Sequence, residues 1–321
     1  MHRDDLAIFD SEAVRAHLTY PDCIAVLREA MQALSAGTTR QLLRTMISLG
    51  TGRTFAQMPG ALGDHDYFGT KTISVFADPQ RPGLRRHRGL VVLFEPEEGR
   101  PVAVADAEEI THIRTAAATA LATDALARPD AKTLLIVGTG GQAHTHLESL
   151  PLVRNFERVL IWGRSPEKAA ALAKEYAHLN AQAVTDLEAA IRTADVICTL
   201  TTASQPVIFG DWVQPGTHVN LVGSSGPGPV EADSALVMKS RYIADSRASA
   251  LDAAAEFLVA RDAGLVDDAH IVAEIGEVLL GQVPGRTSAD EITLYKSLGH
   301  SVQDLASAAH IYRSHLASKD A

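Results

Sequence analysis

The strongest constraint on the fold is the segment 133–147, in which a short apolar run ends abruptly at a glycine. Residues 134–137 form that run, and Gly138, Gly140 and Ala143 follow it with the spacing GxGxxA. Small residues at these places permit a tight turn, close approach of the backbone to a pyrophosphate, and close packing of a helix on a strand. Because free N–H groups at the start of that helix would face the phosphates, the pattern predicts a dinucleotide site.

The chain after this motif alternates between strand-like and helix-like segments. The next apolar run, residues 158–163, follows at the distance expected of a βαβ unit, which makes the glycine motif more specific than it is alone. Six strands are predicted, at 133–138, 158–163, about 181–185, 195–200, 217–223 and 241–245. This alternation indicates an α/β fold with a Rossmann-type, doubly wound parallel sheet over residues 116–299.

The first part of the chain has a different pattern. A short helix is predicted at 10–18, and a second begins at Tyr20 and ends at Gly37. Four strand-like segments follow, at 42–48, 53–58, 67–76 and 89–95, and the last is expected to form a hairpin with 101–106. The pattern predicts a smaller α+β domain over residues 1–115, with a mostly antiparallel sheet.

Two further helices are predicted. The alanine-rich stretch 108–128 predicts a long helix that Pro129 ends. The stretch from Gln303 to Leu316 predicts an amphipathic helix, whose apolar face needs a partner. We expect the C-terminal helix, residues 300–321, to return to the first domain.

Composition narrows the possible partners. The chain has 321 residues, which suggests about two domains, and its formal net charge of −10 argues against nucleic acid or an anionic membrane. Cys23 and Cys198 are too few for a disulfide framework and too far apart for a metal motif. His144 and His146 do not share a helix face, so no metal site is predicted. There is no apolar stretch of about 18 residues and no signal-like start, and a cytoplasmic location is expected.

The segment after the second predicted strand bears on the choice of cofactor. Folds of this type that prefer NAD place an acidic residue on the ribose hydroxyls about 20 residues past the glycines. Here that place reads Trp162-Gly163-Arg164-Ser165, with no carboxylate to repel a 2′-phosphate and an arginine to pair with one. Ser165 is a candidate for the N-cap of the following helix, and its hydroxyl is also a candidate hydrogen-bond donor to the 2′-phosphate. NADPH is therefore the predicted cofactor, with NAD less favoured.

Three basic side chains are candidates for a substrate site. Alternation along 67–76 puts Lys71 on the same face as Ile73 and Val75, where a charge must find a partner or titrate towards neutral. A lysine whose ammonium reaches the rim is the alternative. Arg44 and Arg114 each offer a planar fork that grips a carboxylate, although each alone fits a surface residue as well.

The chain resembles the ornithine cyclodeaminase/mu-crystallin family of nicotinamide-dependent enzymes over nearly its whole length. The motifs that carry the resemblance are Leu-Leu-Arg-Thr (42–45), Gly-Thr-Lys-Thr-Ile-Ser-Val-Phe (69–76), His-Arg-Gly-Leu-Val-Val-Leu-Phe (87–94), Ile-Thr-His-Ile-Arg-Thr-Ala-Ala (110–117), Gly-Thr-Gly-Gly-Gln-Ala (138–143), Val-Gly-Ser-Ser-Gly-Pro-Gly (222–228) and Tyr-Lys-Ser-Leu-Gly-His-Ser-Val-Gln-Asp-Leu (295–305). Together these motifs are far more specific than the glycine pattern.

The resemblance implies a role for each matching residue. It implies a homodimer joined through the first domain, with a small-molecule substrate held between that domain and the nicotinamide. Lys71 would contact the substrate, and Arg44 and Arg114 would bind its α-carboxylate. His87 matches a histidine of the mu-crystallin branch and is a possible proton donor. The predicted cofactor-binding residues are Gly138, Thr139, Gly140, Gly141, Gln142, Gly163, Arg164, Ser165, Thr201 and Gly299.

Two departures from the family pattern bear on the substrate. Cyclodeaminases of the family carry an aspartate where this chain has Ser225, and a glutamate shortly before a Met-Pro pair, where this chain has Ala56 and Gln57. A serine at the first place resembles the ketimine reductases, and Ser225 is counted with Lys71 and His87 as catalytic. An NADPH-dependent reductase of carboxylated imines, such as 1-pyrroline-2-carboxylate or 1-piperidine-2-carboxylate, is the expected function.

Two other functions remain open at this point. One is ornithine cyclodeaminase or amino-acid dehydrogenase activity, against which Ser225 and Ala56 count. The other is a non-catalytic protein that holds NADPH, against which the retained Arg44, Lys71 and Arg114 count. Ring size and the direction of the reaction are left open.

Overall fold

A computed structural model describes residues 6–77, 85–228 and 230–320 and separates the chain into two compact units. The first unit comprises the residues up to Arg114 together with those from His300 onward, and the second unit is Thr115–Gly299. Within the described ranges, no helix is long and apolar enough to cross a membrane.

The first unit is built on a seven-stranded sheet. Its strands are β1 (Ala7–Phe9), β2 (Arg40–Gln41), β3 (Thr45–Ser48), β4 (Arg53–Ala61), β5 (Phe68–Ala77), β6 (Arg85–Phe94) and β7 (Pro101–Asp106). The order is β1-β7-β6-β5-β4-β2, with β3 also paired to β4. Every pair is antiparallel except β1 with β7. The predicted strand 42–48 is wrong in part, because residues 42–44 lie between β2 and β3.

Four helices accompany this sheet: α1 (Ser11–His17), α2 (Tyr20–Ser35), α3 (Ala107–Leu126), whose first residues belong to this unit, and α11 (Ser301–Asp320). Asp10 caps α1 by accepting a hydrogen bond from the N–H of Ala13 at 2.9 Å, and Gly37 ends α2 with a φ of 72°. Helix α11 packs on α2 and on β4, β5 and β6. The C-terminal helix thus supplies part of the core of the first unit.

The second unit is built on an eight-stranded sheet in which every pair is parallel. Its strands are β8 (Thr133–Val137), β9 (Arg158–Trp162), β10 (Ala181–Ala183), β11 (Val196–Thr199), β12 (His218–Leu221), β13 (Ser240–Ala244), β14 (Ile271–Glu274) and β15 (Ile292–Lys296). The order β10-β9-β8-β11-β12-β15-β13-β14 is that of a doubly wound sheet. The predicted fold class is confirmed, and β14 and β15 are additions to the six predicted strands.

The helices of the second unit are α4 (Gly141–Ser149), α5 (Pro166–Glu175), α6 (Leu187–Ile191), α7 (Ser234–Lys239), α8 (Arg247–Ala253), α9 (Ala255–Asp262) and α10 (Ile275–Leu279). All five residues of β8 are buried, as are those of β11, β12 and β15. Strands covered on both faces need such near-continuous burial. The loops at their carboxyl ends therefore extend from a rigid core.

Candidate active site

Lys71 lies in the middle of β5, on the face of the sheet that α11 covers. Its neighbours across the sheet are Met58 and Val91, both buried, and Lys71 itself is only 3% exposed. Its Nζ donates hydrogen bonds to Asp304 Oδ1 at 3.0 Å and to the hydroxyl of Thr111. Burial lowers the pKa of Lys71 from 10.5 to about 8, against the attraction of Asp304. Lys71 is thus a buried, paired lysine and does not reach the rim.

Arg114 meets the same carboxylate from α3. Its Nε donates to Asp304 Oδ1 at 3.0 Å and its Nη1 donates to Gln303 Oε1 at 3.1 Å. Burial alone would raise the pKa of Asp304, but Lys71 and Arg114 hold it below its usual value. The other oxygen, Oδ2, is buried and has no hydrogen-bond partner among the described residues. Two buried cations therefore share one oxygen of one carboxylate.

Arg44 is the third cation of this cluster. It lies between β2 and β3 and not on a strand as predicted, because the chain leaves the sheet at residues 42–44. Its side chain is half-buried, and its charge contributes to the lowering of the pKa of Lys71. The structure thus brings together the three basic residues that were predicted to bind substrate.

His87 is not part of this cluster. It was expected in a turn, but it lies on β6, opposite Val75, and it is exposed. The residue of β6 opposite Lys71 is Val91, four positions further along, which corresponds to roughly 13 Å of strand. The structure therefore separates His87 from Lys71.

Asp304 is the residue of this site that sequence reasoning missed. It lies in α11, within a stretch of that helix in which every residue from 301 to 309 is buried. A carboxylate in such a stretch needs a cationic partner, since an isolated buried charge is costly. That signal was present in the motif 295–305, but the partners of Asp304 could not be read from it.

In the second unit, the glycine motif has the geometry of a phosphate-binding turn. Gly138 has a φ of 139°, and a Cβ there would meet the carbonyl oxygen of Leu200 at 2.7 Å. Gly140 is the N-cap of α4 and provides no capping side chain. The first N–H groups of α4, at Gly141 and Gln142, are left for an anion at the positive end of the helix. These residues fit a dinucleotide pyrophosphate.

The segment 163–165 follows β9 at the same edge of the sheet. Arg164 is exposed, and Ser165 caps α5 by accepting a hydrogen bond from the N–H of Lys168 at 3.3 Å. The Ser165 hydroxyl donates to Glu167 Oε2 at 2.7 Å, which lowers the pKa of Glu167. Ser165 is thus the helix cap, and a carboxylate that sequence reasoning did not weigh lies beside it.

The remaining predicted residues of this unit lie on loops that follow neighbouring strands. Thr201 follows β11, Ser225 follows β12, and Gly299 follows β15. Gly299 donates its N–H to Asp245 Oδ2 at 2.8 Å, while Ser225 is exposed. Because all these strands are parallel, the three loops emerge at the edge that carries the glycine motif.

His146, one of the two histidines of α4, forms hydrogen bonds within the second unit. His146 is buried between the carbonyl oxygen of Gln142, 2.7 Å from Nδ1, and the hydroxyl of Thr119, 3.0 Å from Nε2. Burial lowers the pKa of His146 to about 4. No group of three side chains suited to a metal ion occurs in the part of the chain that the structure describes.

Comparison with known proteins shows the family of this chain. Residues 5–319 match the model of the ornithine cyclodeaminase/mu-crystallin family. The chain belongs to this family. Ketimine reductase mu-crystallin of Mus musculus is 34% identical over 313 residues, which cover 96% of this chain and 97% of that protein. The resemblance inferred from the motifs is confirmed.

Two solved structures extend the comparison. Delta(1)-pyrroline-2-carboxylate reductase of Thermococcus litoralis, in complex with NADH and L-proline, superposes with a TM-score of 0.92 at 31% identity and 98% coverage of both chains. An archaeal alanine dehydrogenase dimer with bound NAD superposes with a TM-score of 0.91 at 29% identity, covering 98% of this chain and 97% of that one.

Proposed function

We propose that this protein is an NADPH-dependent reductase of cyclic, carboxylated imines, such as 1-pyrroline-2-carboxylate or 1-piperidine-2-carboxylate. The observation that carries the proposal is the pair of buried cations, Lys71 and Arg114, on the single carboxylate of Asp304, with Arg44 near enough to lower the pKa of Lys71. With all four groups ionised, one negative charge faces three positive ones. Such an excess of positive charge, two groups of it buried and the third half-buried, favours an anionic ligand, and a carboxylate matches the arginine forks.

The relatives support the class of reaction. A ketimine reductase and a pyrroline-2-carboxylate reductase both act on carbon–nitrogen double bonds, and each aligns over at least 96% of this chain. The protein is accordingly an NAD(P)-dependent oxidoreductase that acts on C=N bonds. The substrate within that class and the preference for NADPH are our proposals.

The site residues divide the chemistry between them. Arg44 and Arg114 would hold the substrate carboxylate and so fix the imine carbon at reacting distance. Bound NADPH supplies the hydride. The imine nitrogen needs a proton, and Lys71 is our proposed donor because its pKa of about 8 lies close to a working pH near neutrality. The distance of His87 from Lys71 along β6 makes His87 the weaker candidate.

The preference for NADPH rests on the segment after β9. Arg164 is exposed there and Gly163 offers no carboxylate, so a 2′-phosphate meets a cation and no acid at these two positions. Glu167, whose carboxylate accepts a hydrogen bond from the Ser165 hydroxyl, opposes this preference in part. The preference is not inherited from the relatives, since the two solved structures contain NADH and NAD.

We also propose a homodimer formed through the first unit. The face of β5 opposite Lys71 carries Phe68 and Phe76, and both side chains are more than one-third exposed. Leu90 and Ile47 lie on the same face of the neighbouring strands and are about half exposed. Large apolar side chains exposed together on one face of a sheet are typical of an association surface. One of the similar structures is itself a dimer.

A cofactor-oxidation screen tests the function. The purified protein is offered cyclic and linear imino acids with NADPH or NADH, and ornithine, lysine, proline and alanine with NADP⁺ or NAD⁺. We expect a cyclic imine with NADPH to give the highest kcat/KM and ornithine to release no ammonia. Ser225 and Ala56 replace the two carboxylates that the family's cyclodeaminases carry, so faster conversion of ornithine to proline than reduction of any imine would refute the proposal.

The preference for NADPH is tested with a variant of the segment after β9. A Cβ at Gly163 would lie 2.7 Å from Thr139 Cγ2, so an aspartate there changes packing as well as charge. Arg164→Gln removes the guanidinium without adding a contact at Gly163. We expect it to lower kcat/KM with NADPH by about tenfold and to leave kcat/KM with NADH unchanged, as fits the loss of one charge-assisted contact. A wild-type kcat/KM with NADH equal to or higher than that with NADPH would contradict the preference.

A further inference from the structure

Glu231, which follows the loop 222–228, is a buried carboxylate that ties two loops together. Its side chain is completely buried. Oε1 accepts hydrogen bonds from the N–H and the hydroxyl of Thr201, both at 2.7 Å. Oε2 accepts from the hydroxyl of Thr199 at 2.7 Å, the N–H of Gly223 at 2.8 Å and the N–H of Ser224 at 3.2 Å. One side chain thus receives five donors, three of them from the backbone.

The backbone of Glu231 is also held by hydrogen bonds. Its N–H donates to Glu256 Oε1 at 2.9 Å, and Glu256 Oε2 accepts from Lys296 Nζ at 2.7 Å. Glu256 and Lys296 are both buried. The carbonyl oxygen of Glu231 accepts from the N–H groups of residues 207 and 208, so the backbone of the glutamate is tied to the end of the loop that begins at Thr201.

The two loops approach each other as closely as the backbone allows. A Cβ at Gly223 would lie 2.1 Å from the carbonyl oxygen of Thr201 and 2.5 Å from Glu231 Oε1. Only glycine fits there, and no side chain separates the loops. Backbone hydrogen bonds from Val222 and Gly223 to the carbonyl oxygen of Thr199, at 3.2 and 3.1 Å, begin this contact. The Glu231 side chain extends it to Thr201 and Ser224.

The position of these loops in the sheet gives them a role. The phosphate turn follows β8, and the segment with Arg164 follows β9 on one side of it. Strands β11 and β12 lie on the other side of β8, so the loops after them would border the nicotinamide half of a bound dinucleotide. Thr201 and Ser225, both predicted site residues, lie on these two loops.

We propose that Glu231 is a positioning residue that holds the loops around the nicotinamide of the bound cofactor. The inference rests on the proposed function only in that the protein binds a nicotinamide dinucleotide. A glutamine would turn an N–H₂ group towards donors that now meet a carboxylate oxygen. At least two of the five donors then lose their acceptor, and the loops move apart.

The test compares two ligands that share the adenosine half. The affinity of Glu231→Gln for NADP⁺ and for 2′,5′-ADP, which lacks the nicotinamide half, is measured by calorimetry. We expect the Kd for NADP⁺ to rise about tenfold and that for 2′,5′-ADP to change less than about twofold, because Arg164 follows β9, on the other side of β8 from the loops that Glu231 joins. The kcat for imine reduction should fall about 10²-fold, as fits a small misplacement of the reacting group.

Asp195→Asn is the matched control. Asp195 accepts the N–H groups of Lys132 and Thr133 at 2.8 and 2.9 Å at the other end of β11, and it also pairs with Arg128 at 2.6 Å. The substitution likewise turns a carboxylate that accepts backbone N–H groups into an amide, but remote from the proposed cofactor edge. We expect it to lower thermal stability while the ratio of the two dissociation constants stays as in the wild type. Equal weakening of both ligands by Glu231→Gln, or wild-type values for both, would overturn the inference.

A second variant keeps the inference testable if Glu231→Gln does not fold. Thr199→Val has nearly the same shape and removes only one donor to Oε2, and we expect the same selective loss of NADP⁺ affinity to a smaller extent. If the wild type prefers NAD⁺, NAD⁺ and ADP replace the phosphorylated pair. Dinucleotide binding without imine reduction refutes the proposed substrate and leaves the inference standing, whereas no dinucleotide binding overturns both.

Discussion

At the scale of single residues, Lys71 shows how desolvation and ion pairing compete. Burial favours the neutral amine, and the carboxylate of Asp304 at 3.0 Å favours the ammonium ion. Burial prevails, since the pKa falls to about 8, but enough attraction remains to keep most of the lysine protonated at neutral pH. A lysine in this state can both hold an anion and release a proton.

Replacing Lys71 with methionine tests these roles separately. Lys71→Met keeps the length of the side chain and removes its charge and donors. Loss of one charge-assisted hydrogen bond to substrate should cost about 1.5–3 kcal/mol, or one to two decades in kcat/KM. Loss of a proton donor should instead lower kcat by about 10²–10⁴-fold. Steady-state kinetics on the best imine distinguishes the two.

Arg114→Met is the comparison variant for this experiment. If Arg114 binds the carboxylate equally in ground and transition states, its loss acts chiefly through KM. The affinity for NADPH should stay unchanged in both variants, because Lys71 and Arg114 belong to the first unit and the glycine motif to the second. A folded Lys71→Met protein with wild-type kcat/KM would show that Lys71 takes no part in the reaction.

The charge of Asp304 should set the pH profile. Lys71 is protonated below its pKa of about 8, so kcat/KM should be high below this pH and fall as the pH rises through it. Asp304→Asn removes the attraction that favours the ammonium ion. The pKa of Lys71 then falls further, and the alkaline decline should move to lower pH by about 1–3 units.

Thr111→Val serves as the control for this shift. It removes the hydroxyl that accepts from Lys71 Nζ but changes no charge. The alkaline limb should therefore move much less than in Asp304→Asn. Since the titration of the imine itself is the same for every variant, a limb that stays at the same pH in Asp304→Asn would assign it to the substrate.

Why the partner of Lys71 could not be predicted is a matter of chain separation. Alternation along β5 places Lys71 on a face that must be covered, and this much follows from the sequence. Its partner Asp304 lies 233 residues away, on a helix whose register against the sheet depends on the packing of the whole unit. The family motifs contained both residues but could not show that their side chains meet.

At the scale of elements, prediction succeeded where the signal was local. The capped helix α1, the glycine-ended helix α2 and the turn after β8 all depend on residues within a few positions of each other. Strand β15 was missed because Thr293 and Lys296 interrupt its apolar pattern. These polar side chains are buried only because distant residues satisfy them, Glu256 in the case of Lys296 and His218 in that of Thr293.

The segment 42–44 shows the opposite error. Its leucines and the following Thr45–Ser48 read as one continuous strand, and Leu42 and Leu43 are in fact exposed. The chain leaves the sheet between β2 and β3, and Arg44 lies on this irregular stretch. The exposed leucines do not contribute to the core of the first unit. We therefore expect them to lie near a surface that this unit presents to a partner.

At the scale of the whole molecule, the exposed apolar face of the first unit predicts a dimer. The residues that define this face are Ile47, Phe68, Phe76 and Leu90, all on the side of the sheet opposite Lys71. Phe68 also stacks on Phe94 across the strands, with 5.3 Å between the ring centroids. An exposed apolar sheet face left in water is an aggregation hazard, and pairing with a second copy removes it.

Charging this face should separate the protomers. The double variant Ile47→Lys, Leu90→Lys places four ammonium groups in a two-fold interface, where each unpaired charge is costly to bury. Light scattering should show a dimer for the wild type and a monomer for the variant at micromolar concentration, since a loss of about 3 kcal/mol or more weakens the dimer at least about 10²-fold. Val259→Lys, on an exposed apolar position of the second unit, should leave the dimer intact. A wild-type monomer, or a double variant that remains dimeric, would exclude this face as the interface.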